Sequence, residues 1–142
     1  MTLSILIAYN PINLVRSLSL DFEYPTRIPA KFPDSSKRLR LDVVKNTSRN
    51  YVVLIKQDSP CSVPNCIVGK LVGKRGILRR EGQAITLRNG RTALYQDCNS
   101  SCLSSITWGE NGTNYQILYA IDEDNYSDRL KQLKKMANSS LN

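Results

Sequence analysis

Residues Ser104–Asn138 read SSITWGENGTNYQILYAIDEDNYSDRLKQLKKMAN, and the periodicity of this stretch sets the fold class. Ile106 and Trp108 alternate with polar Thr107, and Tyr115, Ile117, Tyr119 and Ile121 hold every second position, the period of strands with one buried face. Between the runs stands Glu110-Asn111-Gly112, where Asn and Gly tolerate the positive φ of a primed hairpin turn. Trp108 and Tyr115 flank that turn as a cross-strand packing pair. From Asn125 the period changes. Leu130, Leu133 and Ala137 recur at helical spacing with Met136 beside them, while Arg129, Lys131, Lys134 and Lys135 are expected to point elsewhere. Asp122, Glu123, Asp124 and Asp128 gather at the helix start, where the dipole accounts for them without any acid-base role. A hairpin with one apolar face, followed by a helix that can cover it, predicts an α+β domain.

Further strands are expected upstream. Leu39, Leu41 and Val43 alternate with Arg38, Arg40 and Asp42, and the apolar run Tyr51–Lys56 pairs with them across Asn46–Asn50. A strand-like run follows from Ile67 to Val72, and Asn89-Gly90 joins Ile85–Leu87 to Thr92–Gln96 as another hairpin. Glycines 73, 76 and 82 are expected to mark turns. The whole predicts an antiparallel sheet of about six or seven strands against the C-terminal helix. Tyr24, Ile28 and Phe32 each precede a proline (Pro25, Pro29, Pro33), so residues 21–37 form an extended connector that pins apolar side chains onto the body. Residues 1–20 are a separate apolar segment, either a packed strand or helix, with Pro11 opening Ile12, Val15 and Leu18, or the remnant of a leader or anchor. Its run Leu3–Ala8 is far shorter than the roughly 20 residues a bilayer span requires, and no transmembrane span is expected in the chain as given. Residues 21–142 are expected to form one domain.

The chain carries 20 Lys and Arg against 12 Asp and Glu, a net charge of +8, which favours acidic partners by long-range attraction. Most of the excess lies between Lys70 and Arg91, where Lys70, Lys74, Arg75, Arg79, Arg80, Arg88 and Arg91 face Glu81 alone. Lys74, Arg75, Arg79, Arg80, Arg88 and Arg91 are therefore the candidate contacts to a polyanion or partner. They form a phosphate groove if Tyr95 or Trp108 supplies a stacking platform, or else a solvated edge whose charges discourage strand-to-strand aggregation. Gly69 and Gly73 do not make a phosphate loop, because Lys74-Arg75 follows without the hydroxyl that motif requires.

The absence of histidine excludes Ser-His-Asp and Cys-His catalysis and histidine-bearing metal sites. With no activated nucleophile or credible acid-base pair in view, the chain is expected not to be an enzyme, and no cofactor is expected. The four cysteines fall in two local pairs, Cys61 with Cys66 and Cys98 with Cys102. An even count near turn residues favours disulfides in an oxidising compartment, with three connectivities open. A four-cysteine zinc site is the rival, although both pairs lack the usual CxxC spacing, and redox chemistry lacks it too. Asn46, Asn99, Asn111, Asn125 and Asn138 open Asn-x-Ser/Thr triplets, which matter only in a eukaryotic secretory chain.

Leu87–Ala93 (LRNGRTA), Ile106-Thr107-Trp108, the glycine turn, Tyr115, and Leu130, Leu133, Met136, Ala137 and Ser139 form a pattern over roughly the last 55 residues. This pattern resembles bacterial extracytoplasmic α+β domains of unknown function, found in lipoproteins and in the outer parts of membrane-anchored regulators such as anti-sigma factors. The resemblance implies an α+β domain outside the cytoplasm with no enzymatic activity, and it carries over no functional residue. The chain differs from those domains in lacking a clear leader or anchor. The function expected is a non-enzymatic accessory or binding domain, periplasmic or secreted, whose partner is an acidic envelope component or protein. The alternative is a cytoplasmic nucleic-acid-binding β-rich protein that uses residues 70–91.

Overall fold

The computed structural model describes residues 3–6, 12–33, 39–57, 66–78, 81–98 and 102–141. The fold is α+β. Among the described residues an antiparallel sheet of eight strands has the order β1-β2-β3-β4-β8-β7-β6-β5. The strands are β1 (Leu3–Leu6), β2 (Leu39–Asn46), β3 (Asn50–Gln57), β4 (Ile67–Arg75), β5 (Gln83–Thr86), β6 (Thr92–Gln96), β7 (Ser104–Glu110) and β8 (Thr113–Tyr119). Two helices accompany them, α1 (Ile12–Ser19) and α2 (Tyr126–Ser139). Residues 1–20 thus contribute both a strand at the sheet edge and a helix. Among the described residues no helix is long and apolar enough to cross a membrane.

The β7–β8 hairpin forms as its alternation requires. Asn111 (φ 50°) and Gly112 (φ 85°) both take positive φ, as a primed two-residue turn demands. Trp108 lies opposite Tyr115 with ring centroids 5.7 Å apart, and both side chains are buried. Each inner-face row then runs across the sheet. One row passes through Val43, Val53, Leu71, Ile117, Ile106 and Tyr95, and another through Tyr51, Gly73, Tyr115, Trp108 and Ala93. Along the second row Gly73 separates Tyr51 from the stacked Tyr115–Trp108 pair, and Ala93 follows it. Gly73 lies inside β4 rather than at a turn, because a Cβ there would run into the Tyr51 ring.

Two elements share the inner face. Asn125 caps α2 by accepting a 2.8 Å bond from the Asp128 amide, and the helix buries Leu133, Met136 and Ala137. The proline-spaced segment adds Phe22 and Ile28, both buried, with Tyr24 and Phe32 packed against the core, and Leu18 of α1 is buried in the same cluster. The Tyr115 hydroxyl donates to the Pro25 carbonyl (2.6 Å), the Arg27 amide donates to the Tyr51 hydroxyl (3.1 Å), and the Ala30 amide donates to Ser139 Oγ (3.0 Å).

The expected polar outer face of the hairpin is not open to solvent: Thr107 is only 2% exposed. Leu78 and Glu81, from the connection between β4 and β5, share a recess with Thr107 on the sheet side facing away from α2. The placement of Arg129 also departs from expectation. It is buried, because Arg129, Leu133, Met136 and Ala137 occupy one helix face at i, i+4, i+7 and i+8.

Candidate functional site

The strand directions sort the loops to two ends of the sheet, and the charges sort with them. One end holds the β2–β3 turn, the end of β4, the β5–β6 turn and the tip of the β7–β8 hairpin. There lie Arg27, Arg49, Lys74, Arg75, Arg88 and Arg91, with Asp21, Glu23 and Glu110 as the acids nearby. The opposite end carries Asp97, Asp122, Glu123 and Asp124 beside the Cys98–Cys102 pair, with Arg129 on Asp97 and with Arg40 and Lys56 as the cations nearby.

The sequence-selected cations are not equally available to a partner. Lys74 and Arg88 are exposed. Arg75 donates to the Asn111 carbonyl (2.5 Å) and to Thr113 Oγ1 (3.1 Å), and its guanidinium stacks 4.3 Å from the Tyr24 ring centroid. Arg91 reaches the Gly109 carbonyl at 3.3 Å, and Arg88 reaches the Leu141 carbonyl at 3.4 Å. Arg79 and Arg80 lie outside the described residues. The structure thus gathers Lys74, Arg75, Arg88 and Arg91 at one end and uses Arg75 and Arg91 partly to brace the hairpin tip. Tyr95 and Trp108 are 1% and 0% exposed, which rules both out as stacking platforms for bases.

Two arginine clamps, one half-buried and one buried, join parts of the chain that the sequence pattern leaves unconnected. Arg27 grips Glu110 with two bonds (Nε to Oε2 2.9 Å, Nη2 to Oε1 2.8 Å), and Trp108 Nε1 donates to the same carboxylate at 2.9 Å. At the opposite end Arg129 donates to both Asp97 oxygens (2.9 and 2.8 Å) and to the Glu123 and Asp124 carbonyls, while the Tyr95 hydroxyl donates to Asp97 at 2.7 Å. The helical spacing of Arg129 relative to Leu133 was a readable signal for the second clamp. For the first there was none, since Arg27 and Glu110 stand 83 positions apart.

These contacts set the electrostatics. The Arg129 guanidinium holds the Asp97 carboxyl below its usual range, against a smaller opposing effect of burial. Burial pushes Glu110 up, but the bonds from Arg27 and Trp108 outweigh it and leave Glu110 lowered. Burial, aided by the Glu110 charge, pushes the Tyr115 hydroxyl up to about 12. A lowered folded-state pKa gives stability that is full above the ordinary carboxylate value near 4 and is lost as pH falls through the lowered value. A raised tyrosine gives stability that is full below the ordinary value near 10 and is lost as pH rises toward 12. Chemical denaturation across pH should therefore show stability falling at both extremes. Arg129→Met should lower stability near neutral pH and make the acid limb shallower, so that the variant and the native chain converge as pH falls, and an unchanged difference across pH would show that the Asp97 clamp contributes nothing to the limb.

The recess on the outer sheet face is lined by Leu78, Glu81, Gln96, Ser105, Thr107 and Gln116 and holds about 220 Å³. Gln116 Nε2 donates to Thr107 Oγ1 at 3.2 Å, so its lining amides and hydroxyls partly satisfy one another. Among the described residues no three Cys, Asp or Glu side chains gather as a metal site. Cys98 and Cys102 lie at disulfide distance, with Cα atoms 5.6 Å apart, and the Cys98 amide donates to Ser104 Oγ at 3.0 Å to close the loop. Cys66 is also disulfide-bonded, and Cys61 lies outside the described residues.

The fold and its polarised ends define an α+β domain built on an antiparallel sheet. No family model, no curated protein and no solved structure matches the chain.

Proposed function

We propose that this chain is a non-enzymatic binding domain of an extracytoplasmic space, engaging acidic partners, an envelope component or a protein, through the basic end of its sheet. The observation that carries this reading is the segregation of charge. Lys74 and Arg75 from the end of β4 and Arg88 and Arg91 from the β5–β6 turn converge at one end, while Asp97, Asp122, Glu123 and Asp124 lie at the other. Such a polarised surface attracts and orients an anionic partner before contact. The Cys98–Cys102 pair supports an oxidising compartment. Burial of Tyr95 and Trp108 leaves the nucleic-acid alternative with phosphate contacts alone.

Retention on an immobilised polyanion tests the reading. The native chain should elute at a salt concentration that drops clearly when Lys74, Arg88 and Arg91 are all replaced by glutamine, since each phosphate- or carboxylate-neutralising contact adds to the salt slope. Equal elution of the variant would refute the basic end as the contact surface. Intact mass after alkylation tests the compartment. All four cysteines should resist alkylation until reduced, and free thiols in natively produced protein would count against an oxidising location.

A further inference from the structure

We infer that the outer edge of β5, flanked by α2, is a strand-addition site for an extended segment of an acidic protein partner. The inference rests on the proposed acidic-partner reading and names how such a partner would dock.

The argument begins with hydrogen-bond parity. The Leu87 amide donates to the Arg91 carbonyl at 2.9 Å, in the same register that pairs Ile85 with Ala93 and Gln83 with Tyr95. In an antiparallel ladder bonded pairs alternate, so Gln83 and Ile85 spend their backbone groups on β6. The amides and carbonyls of Ala84 and Thr86 therefore point outward, where no further strand lies among the described residues. Just beyond the strand, the Arg88 amide donates to Asn138 Oδ1 at 2.8 Å. Gln83, Ala84 and Thr86 are exposed, and none of β5's four residues is a charge or a proline of the kind that usually blunts a free edge.

The helix supplies the second wall. The Tyr126 hydroxyl bonds the Gln83 side chain and Asn138 caps Arg88, so α2 runs alongside β5 in the same direction. The lengths agree: the 12 residues between the helix pins span about 18 Å, and the five between the strand pins about 17 Å. Ile85, on the helix side of the sheet, and Leu130 are only partly buried, and Tyr126 is 40% exposed. An added strand would complete the backbone bonds of Ala84 and Thr86 and set every second side chain against this apolar row. Lys134, half-buried between Tyr126 and Asn138 along the helix, and exposed Arg88 favour carboxylates on the incoming segment.

The probe is a short acetylated peptide alternating valine with glutamate, added to the full chain. Amide hydrogen exchange at Ala84 and Thr86 should slow on binding, and N-methylation of alternate peptide amides should weaken binding by about tenfold or more, the cost of losing two or more net hydrogen bonds. Ala84→Pro should abolish peptide binding and keep the fold, because the amide it removes is not part of the β5–β6 ladder. Retention on the polyanion should be unchanged in that variant. Equal binding of the N-methylated peptide would overturn the inference and leave a purely electrostatic contact. So would Ala84 and Thr86 amides that become protected without peptide as the mass doubles, which would give the edge to a second copy of the chain. Absence of peptide binding with polyanion retention intact overturns the strand-addition site alone, whereas loss of both removes the acidic-partner reading as well.

Discussion

Trp108→Ala is expected to lower the stability of the fold by about 3–5 kcal/mol, the usual cost of emptying a fully buried tryptophan site. For a chain of this length that corresponds to a fall in Tm of roughly 10 °C or more. Trp108 is 0% exposed and stacks on Tyr115, so truncation leaves a cavity at the centre of the row that crosses β3, β4, β8, β7 and β6. It also removes one of the three bonds that hold Glu110, the carboxylate to which Arg27 anchors the N-terminal segment. Two readouts follow. Global stability drops, and the segment around Pro25 and Arg27 should lose hydrogen-exchange protection more than the β2–β3 hairpin does. Trp108→Phe, which keeps most of the ring volume and loses the indole donor, separates the cavity from the bond. A tryptophan cavity costing under about 1 kcal/mol would mean that the core can collapse around the site.

Gly73→Ala carries the second large effect. On composition alone the change should help, since glycine within a strand is entropically unfavourable by about 0.5–1 kcal/mol. The tertiary contact reverses that sign. A Cβ at Gly73 would overlap the Tyr51 ring, and the ring is fixed by the Arg27 amide on its hydroxyl and by an edge contact to Phe22 at 4.9 Å between centroids. The expected cost is about 3 kcal/mol, the upper part of the range for overpacking a filled core. Combining Gly73→Ala with Tyr51→Leu should cost clearly less than the sum of the two single changes, because the smaller side chain gives the methyl group room. Additive effects in that cycle would show that the ring is not what keeps position 73 small.

Arg129 and Thr107 show how far sequence periodicity reaches. The helix itself was readable, but Arg129 was expected to point away from the Leu130, Leu133 and Ala137 stripe with the lysines, whereas it is buried on the face of Leu133 and Ala137. What makes its burial possible is Asp97, which the chain just after β6 brings within 2.8 Å of the guanidinium. Thr107 kept its place in the strand alternation, yet it is buried, on the face where Leu78 and Glu81 of the β4–β5 connection line the same recess. The basic cluster divides in the same way. Its composition was visible in residues 70–91, but its convergence at one end, and the bracing roles of Arg75 and Arg91, depend on contacts to Asn111, Thr113 and Gly109.

By itself the sequence determined the local elements. The alternation around Trp108 and Tyr115, the Asn111-Gly112 turn, the capped helix from Tyr126 and the extended proline-spaced connector all follow from interactions within a few residues, which backbone sterics and hydrophobic period encode directly. Only the tertiary structure decided the strand order, the two arginine clamps, the reason Gly73 must stay small, and the open edge of β5. Each of these joins residues distant in the chain, and their energies depend on packing and desolvation that no local pattern records.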